Sequence, residues 1–128
     1  MPIKVIVMVK RKPGLSPEEF REGYENSHSR IAVRLFGHLW LAYRRNYLQQ
    51  GRYFTDGNVP TTRGPDEIGY DAISEFVLRD AAALEEMGRI AGENYAMIKE
   101  DEALWFDQAR CLTVTAETIE EDLAATAA

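Results

Sequence analysis

The 128-residue chain has 21 acidic and 15 basic side chains, and its formal net charge of −6 argues against nucleic acid as a partner. Cys111 is the single cysteine, which excludes an internal disulfide. With only two histidines, a zinc site would need carboxylates to complete it, so we expect no metal. No apolar run approaches the roughly 18 residues of a membrane span, and no leader-like pattern opens the chain. We therefore expect a cytoplasmic protein that does not bind membranes.

The length suits one domain with one hydrophobic core. We expect a single domain over residues 1–128, with a core of about 3–116. The tail over 117–128 is acidic and then alanine-rich, which predicts a loose helix or a frayed end.

The strongest local signal is the start of a helix. Ser16 is followed by Pro17 and, three residues after the serine, by Glu19, the pattern of an N-cap, a first-turn proline and a capping box. Apolar periodicity predicts that this helix runs to about Phe36, with Gly37 as its terminator.

One histidine lies on the apolar stripe of that helix. His28 shares the stripe with Phe20, Tyr24, Ile31 and Leu35. Histidine exchanges protons near neutral pH because its ordinary pKa is about 6.5, so an inward histidine is a candidate general acid or base. The alternative is a core histidine held by one backbone carbonyl, and spacing alone leaves both interpretations open.

Alternation and helix caps predict the remaining elements. A second helix, capped by Asp80, runs to about Ile90 and is interrupted at Gly92, and a third spans Asn94 to about Phe106. The predicted strands are Ile3–Val9, Trp40–Gln49, Tyr70–Leu78 and Arg110–Ala116.

The segment Gln50–Gly69 has almost no periodicity. At about 20 residues it exceeds the usual connection inside a compact domain, which indicates a mobile loop or a functional lid. We predict a lid over the mouth of a pocket that becomes ordered when ligand binds.

The order strand, helix, strand, strand, helix, strand is that of a ferredoxin-like α+β fold. In this fold, the helical segments of both crossovers pack on one face of a four-stranded antiparallel sheet. We expect the bare face to be apolar and covered by a second copy, which would form a homodimeric α/β barrel. The residues assigned to the bare face are Val5, Val7, Val9, Tyr43, Tyr47, Ile73 and Val77.

Several stretches, taken together, resemble the EthD family of dimeric α/β-barrel proteins over roughly residues 3–116. The resemblance implies the same fold and dimer, and it carries His28 over as the acid/base residue. The family commonly has His-x-Pro-Leu where this chain has His28-Ser29-Arg30-Ile31. The matching stretches are KRKPGLSPEEF at 10–20, YENSH at 24–28, YRRNY at 43–47, Tyr70-Asp71, Glu75-Phe76 and DEALWFD at 101–107.

The wider superfamily that this resemblance implies includes lactone isomerases, polyketide cyclases and dehydratases, cofactor-independent monooxygenases and haem-degrading enzymes. The sequence contains no glycine-rich phosphate loop, dinucleotide fingerprint or nucleophile elbow, which disfavours nicotinamide chemistry. We therefore expect a lyase or isomerase that needs no cofactor and uses proton transfer on a small aromatic or lactone-like metabolite. The alternatives are a non-catalytic ligand-binding protein and a cofactor-independent monooxygenase of the same fold.

Other side chains could join His28 in such a site. The catalytic candidates are Tyr47, a phenol that could donate to a developing oxyanion, and Asp71, a carboxylate on a partly apolar strand face. In a purely structural interpretation, Arg45 pairs with Asp71 or Glu75 across neighbouring strands. The substrate-binding candidates are Tyr24, Trp40, Arg45, Asn46, Glu75, Trp105 and Phe106.

Two further features are interpreted as structural. Asp101, Glu102 and Asp107 match no calcium-loop spacing and are typical of a solvated helix face. Cys111 lies in a strand and is expected to be a buried, inert thiol.

Overall fold

The computed structural model describes residues 1–58 and 62–126 and contains four strands and six α-helices in that part of the chain. The strands are β1 (Ile3–Val9), β2 (Trp40–Tyr47), β3 (Ala72–Leu78) and β4 (Leu112–Ala116). The helices are α1 (Pro17–Gly23), α2 (Ser29–Phe36), α3 (Pro65–Ile68), α4 (Ala81–Glu93), α5 (Tyr95–Trp105) and α6 (Leu123–Thr126).

The sheet is antiparallel throughout, with strand order β2-β3-β1-β4. This order confirms the predicted ferredoxin-like α+β fold, because the two central strands are the first and third of the chain. Helices α1, α2, α4 and α5 provide the helical layer. No helix in the two described ranges is long and apolar enough to cross a membrane.

The predicted long helix is interrupted in its middle. The capping box at Ser16 forms as expected, with Glu19 N donating to the serine hydroxyl and Ser16 N donating to the Glu19 carboxylate. Between α1 and α2, however, residues Tyr24–His28 form a π-helical turn. A π-turn holds one extra residue, which rotates everything after it around the helix axis. The inward stripe after His28 therefore contains Ala32 and Phe36 rather than the predicted Ile31 and Leu35.

The structure corrects the predicted faces of the sheet. Val5 and Tyr43 both pair with Phe76, and these residues pack against the helices instead of lying on the bare face. Val7, Val9 and Tyr47 also pack in the core clusters beneath the helices. Both alternating sets of β1 are apolar, so alternation groups residues by face without deciding which face the helices cover. The bare face instead carries Ile6, Met8, Ala42, Ile73, Val77, Leu112 and Val114.

Two smaller predictions also change. Helix α4 continues through Gly92 to Glu93, and α5 begins two residues later, so Gly92 does not interrupt it. The segment 50–69 is partly ordered, with a bridge between Gly51 and Arg63, a 3-10 turn at Phe54–Asp56 and helix α3. Residues 59–61 of the predicted lid lie outside the described residues. None of its described residues lines the cavity of this chain.

Candidate functional site

A cavity of about 430 Å³ lies between the helix-covered face of the sheet and the helices. This volume is near the lower end of the roughly 300–1,000 Å³ of small-molecule sites. Most of its lining is apolar or aromatic, and its principal residues are Val7, Tyr24, His28, Ala32, Phe36, Trp40, Tyr43, Phe76, Met87, Ala91, Ile98 and Phe106.

His28 contributes an imidazole to this largely apolar lining. Its side chain is 15% exposed, and its ring lies edge-on to Phe106 with centroids 4.9 Å apart. The residue ends the π-helical turn, a distortion that is frequent at functional sites. The predicted position of His28 on the inward face is therefore correct.

The partner of His28 is a carboxylate, not a backbone carbonyl. His28 Nδ1 lies 2.9 Å from Asp101 Oδ2 on helix α5. The other ring nitrogen, Nε2, makes no hydrogen bond within residues 1–58 and 62–126. Nε2 is therefore the imidazole nitrogen that is available to a substrate, since Nδ1 is bonded to Asp101.

Asp101 is buried, with 8% of the residue exposed, which contradicts the interpretation of this stretch as a solvated helix face. Ser27 Oγ donates to Asp101 Oδ1 over 2.6 Å, and Trp105 Nε1 donates to the same oxygen over 3.4 Å. The sequence contained a signal for this position: Asp101 follows Ile98 by three residues and precedes Trp105 by four, which places it on an apolar helix stripe.

Tyr47 and Arg45 lie together, but with a partner that the sequence analysis did not select. Arg45 Nε and Nη2 donate to the two Glu25 carboxylate oxygens over 2.5 and 2.8 Å, and Tyr47 Oη also donates to Glu25. These bonds, chiefly that from Arg45, lower the pKa of Glu25 to about 2. Burial and the bond to Glu25 raise the pKa of Tyr47. Neither Arg45 nor Tyr47 lines the cavity.

Asp71 is buried, at the end of the sheet where β1 ends. It accepts from Arg11 N over 2.8 Å and from Arg11 Nη1 over 2.9 Å, and Lys10 Nζ lies 3.3 Å away. The expected pair of Arg45 with Asp71 or Glu75 is therefore wrong. The structure does not bring Asp71 together with His28, and Asp71 is not part of the cavity lining.

Besides Arg45, three of the predicted substrate-binding residues lie outside the cavity. Glu75 is on the bare face of the sheet, 3.3 Å from Lys4 Nζ and 3.0 Å from Arg44 Nη1. Asn46 is on the same face and donates to the Ile73 carbonyl. Trp105 packs against helix α1 and reaches the site only through its bond to Asp101.

Tyr24, Trp40 and Phe106, three of the substrate-binding candidates, do line the cavity. Tyr24 shares a hydrogen bond of 2.8 Å with Ser74, and burial raises its pKa. Trp40 stacks on Phe76 with ring centroids 4.6 Å apart. These rings present flat apolar surfaces to any bound molecule.

Sequence reasoning missed the polar rim of the cavity. Lys99 Nζ bonds to Glu102 over 3.0 Å, and Gln108 Nε2 donates to the Lys99 carbonyl and to Glu102. The three residues lie on α5 and on the turn that follows it, next to the exposed Tyr95 ring. These polar groups could form hydrogen bonds with the polar end of a bound ligand.

Cys111 also lines the cavity, half-buried beside the Lys10 backbone, and burial raises the pKa of its thiol. Such a shift makes a thiolate less available, as expected for an inert cysteine. Within the described ranges, no group of three or more His, Cys, Asp or Glu side chains is arranged to hold a metal ion.

The fold and the site define a ferredoxin-like α+β protein with a small-molecule cavity between its sheet and its helices. Residues 12–109 match the family model of the EthD domain. Because this match spans more than half of the chain, the protein belongs to the EthD family. No curated protein sequence matches the chain significantly.

Solved structures agree on the fold. An EthD-like protein from Ralstonia eutropha JMP134 has a TM-score of 0.63 at 18% identity, over 94% of this chain and 96% of that one. A dimeric ferredoxin-like protein from Thermobifida fusca YX, of unknown function, has a TM-score of 0.55 at 10% identity over 92% of both chains. SnoaB from Streptomyces nogalater, a cofactor-independent oxygenase, has a TM-score of 0.51 at 8% identity, over 94% of this chain and 96% of that one. At these identities the similarity shows the fold alone.

Proposed function

We propose that this protein is a lyase or isomerase that transfers protons through His28 on a small, largely apolar metabolite. The observation that carries the proposal is the placement of one imidazole in the wall of a largely apolar cavity, with its Nδ1 bonded to Asp101 and its Nε2 without a hydrogen-bond partner among the described residues. Such a group can remove a proton next to a carbonyl or protonate a departing oxygen.

The cavity lining also suggests a group for the developing oxyanion. Tyr47, Asn46 and Arg45 lie outside the cavity, whereas Tyr43 is part of its wall. Burial raises the pKa of Tyr43, against the opposing effect of Arg45, so its hydroxyl stays protonated and able to donate. In this proposal Tyr43 takes the role that the sequence analysis assigned to Tyr47.

The shape of the lining favours a ring-containing substrate with one polar end. The rings of Trp40, Phe76 and Phe106 would contact the apolar part, while the ion pair of Lys99 and Glu102 would face the polar end. Because that pair is internally neutralised, it suits a hydroxyl, ketone or lactone group better than an isolated charge.

The test is hydrogen–deuterium exchange on 2-tetralone, an aromatic ketone with acidic protons beside its carbonyl, followed by NMR in deuterated buffer. We expect the protein to accelerate exchange, and His28→Gln to reduce the acceleration by about two to four powers of ten, the usual range for a positioned acid/base group. His38→Gln removes a histidine outside the cavity and is the matched control, which should leave the rate unchanged. Equal rates for His28→Gln and the parent protein would contradict the proposal.

A second candidate is a cofactor-independent oxygenase, the activity of SnoaB, which shares this fold. An oxygenase would consume oxygen with an electron-rich phenol, for which a dihydroxynaphthalene is a suitable probe in an oxygen-electrode assay. Oxygen uptake without tetralone exchange would favour this candidate. Tight binding of either probe without exchange or oxygen uptake would indicate a non-catalytic binding protein.

We also propose that the protein is a homodimer that pairs the bare sheet faces into an α/β barrel. Support comes from the apolar side chains that the helices leave uncovered on that face, Ile73 and Val77 among them, and from the dimeric relative of the same fold. The bare face also carries Lys4, Arg44 and Glu75, which form ion pairs within one chain.

A further inference from the structure

We infer that Asp101 is a positioning residue that holds His28 in the tautomer with its proton on Nδ1, leaving Nε2 free to accept a proton from substrate. The inference rests on the proposed function of His28 and adds a residue to the same site. Ionised carboxylates only accept hydrogen bonds, so the 2.9 Å contact between Asp101 Oδ2 and His28 Nδ1 requires the proton to lie on Nδ1 when the ring is neutral.

The two Asp101 oxygens have different surroundings. Oδ1 receives both further donors, the Ser27 hydroxyl at 2.6 Å and the Trp105 indole N–H at 3.4 Å. Oδ2 faces the imidazole. The carboxylate is therefore oriented by two groups that do not line the cavity. Its other oxygen, Oδ2, bonds to His28 Nδ1 and orients the imidazole.

This asymmetry makes Asp101→Asn a sharp test. The Trp105 indole N–H can only donate, so it favours the amide oxygen at the Oδ1 position, where the Ser27 hydroxyl can also donate. The amide NH₂ then faces His28 Nδ1. A donor at that position can bond only to an unprotonated Nδ1, which moves the ring proton to Nε2. The variant keeps the size of the side chain, yet it should reverse the tautomer of His28. The ring proton would then lie on Nε2, which could no longer accept a proton from the substrate.

The experiment is ¹⁵N NMR of protein labelled at histidine, recorded near pH 8.5, about two units above the ordinary histidine pKa. The parent spectrum should show His28 protonated at Nδ1, and Asp101→Asn should show it protonated at Nε2. Glu102→Gln, a neighbouring carboxyl-to-amide change in a residue whose bonds go to Lys99 and Gln108, should keep the parent tautomer. Tetralone exchange should fall by about two powers of ten or more in Asp101→Asn.

The tautomer readout is independent of activity, so the inference and the proposed function can fail separately. A parent protein with the proton on Nε2 would overturn the inference without any variant having to fold. An Asp101→Asn variant that folds and keeps the proton on Nδ1 would overturn it as well. If the tautomers behave as expected but no variant of His28 changes exchange, the positioning stands and the proposed function fails.

Discussion

At the scale of single residues, Glu25 is a carboxylate near the candidate site whose role is to link a helical turn to the sheet. It precedes His28 by three residues, in the π-helical turn, yet its oxygens bond to Arg45 and Tyr47 on strand β2. The Arg21 guanidinium lies over the Tyr47 ring, 4.6 Å from its centroid. These contacts fasten the π-helical turn to the sheet beside the cavity.

Glu25→Gln should lower the free energy of unfolding at pH 7 and flatten its dependence on acid. The folded-state pKa of Glu25 is about 2 against an ordinary value of 4.5, so its stabilisation is present above about pH 4.5 and is lost as the pH falls towards 2. The side chain is 35% exposed, so solvent screens part of this effect. Urea unfolding at pH 7 and at pH 3 measures it.

The control for this experiment is Glu22→Gln, which neutralises an exposed carboxylate three residues earlier in helix α1. Its unfolding curves should follow those of the parent at both pH values. Equal acid dependence for Glu25→Gln and Glu22→Gln would show that the bonds between Glu25 and Arg45 do not contribute to stability.

The packing of α1 against α5 is the contact between elements on which the candidate site most depends. Gly23 is buried, and a Cβ added there would lie 2.1 Å from Trp105 Cε3. The absence of a side chain lets the Trp105 ring lie against α1, from where its indole N–H reaches Asp101. The geometry of Asp101 and His28 therefore depends on a glycine in a neighbouring helix.

Gly23→Ala should destabilise the protein by about 1–3 kcal/mol, since the added methyl group must displace the Trp105 ring. Chemical denaturation measures this change. Tetralone exchange by the folded variant should also fall, because Trp105 would lose its place behind Asp101.

Gly88→Ala is the matched control, because Gly88 lies within helix α4 and an added Cβ there meets nothing within 4 Å. Alanine favours a helix interior over glycine, so this variant should be more stable by roughly 0.5–1 kcal/mol. If both variants were stabilised alike, the close packing of Trp105 on Gly23 would be refuted.

At the scale of the whole molecule, the bare face of the sheet is the surface that the helices of the same chain leave uncovered. Ile73 pairs with Met8 of β1 and with Asn46 of β2, so it lies on that face in a central strand. In the proposed homodimer this position would be buried, whereas in a monomer it would face water.

Ile73→Asp should convert the dimer to folded monomers of 14.5 kDa, because it would place an unpaired charge in an apolar interface. Sedimentation velocity at micromolar concentration separates the two species. Ala82→Asp adds the same charge on an exposed position of α4 and should remain dimeric. A parent protein that sediments as a monomer would refute the dimer.

The sequence by itself determined the four strands, the main helical segments between them, their order and the inward position of His28. These depend on local rules: the capping box at Ser16, the alternation within each strand and the periodicity that places His28 in line with Phe20 and Tyr24. The ferredoxin-like sheet follows from that order, because strand connections of this kind have few topologies.

Only the tertiary structure decided which groups meet. Both faces of β1 are apolar, so the face beneath the helices is set by packing against Phe76 and its neighbours, not by alternation. Asp101 is 73 residues from His28 in the chain, and Glu25 is 20 residues from Arg45. A local pattern cannot show pairings over such separations, because they depend on how helices and strands dock. The buried carboxylate behind His28 therefore becomes visible only when α5 packs against the π-helical turn.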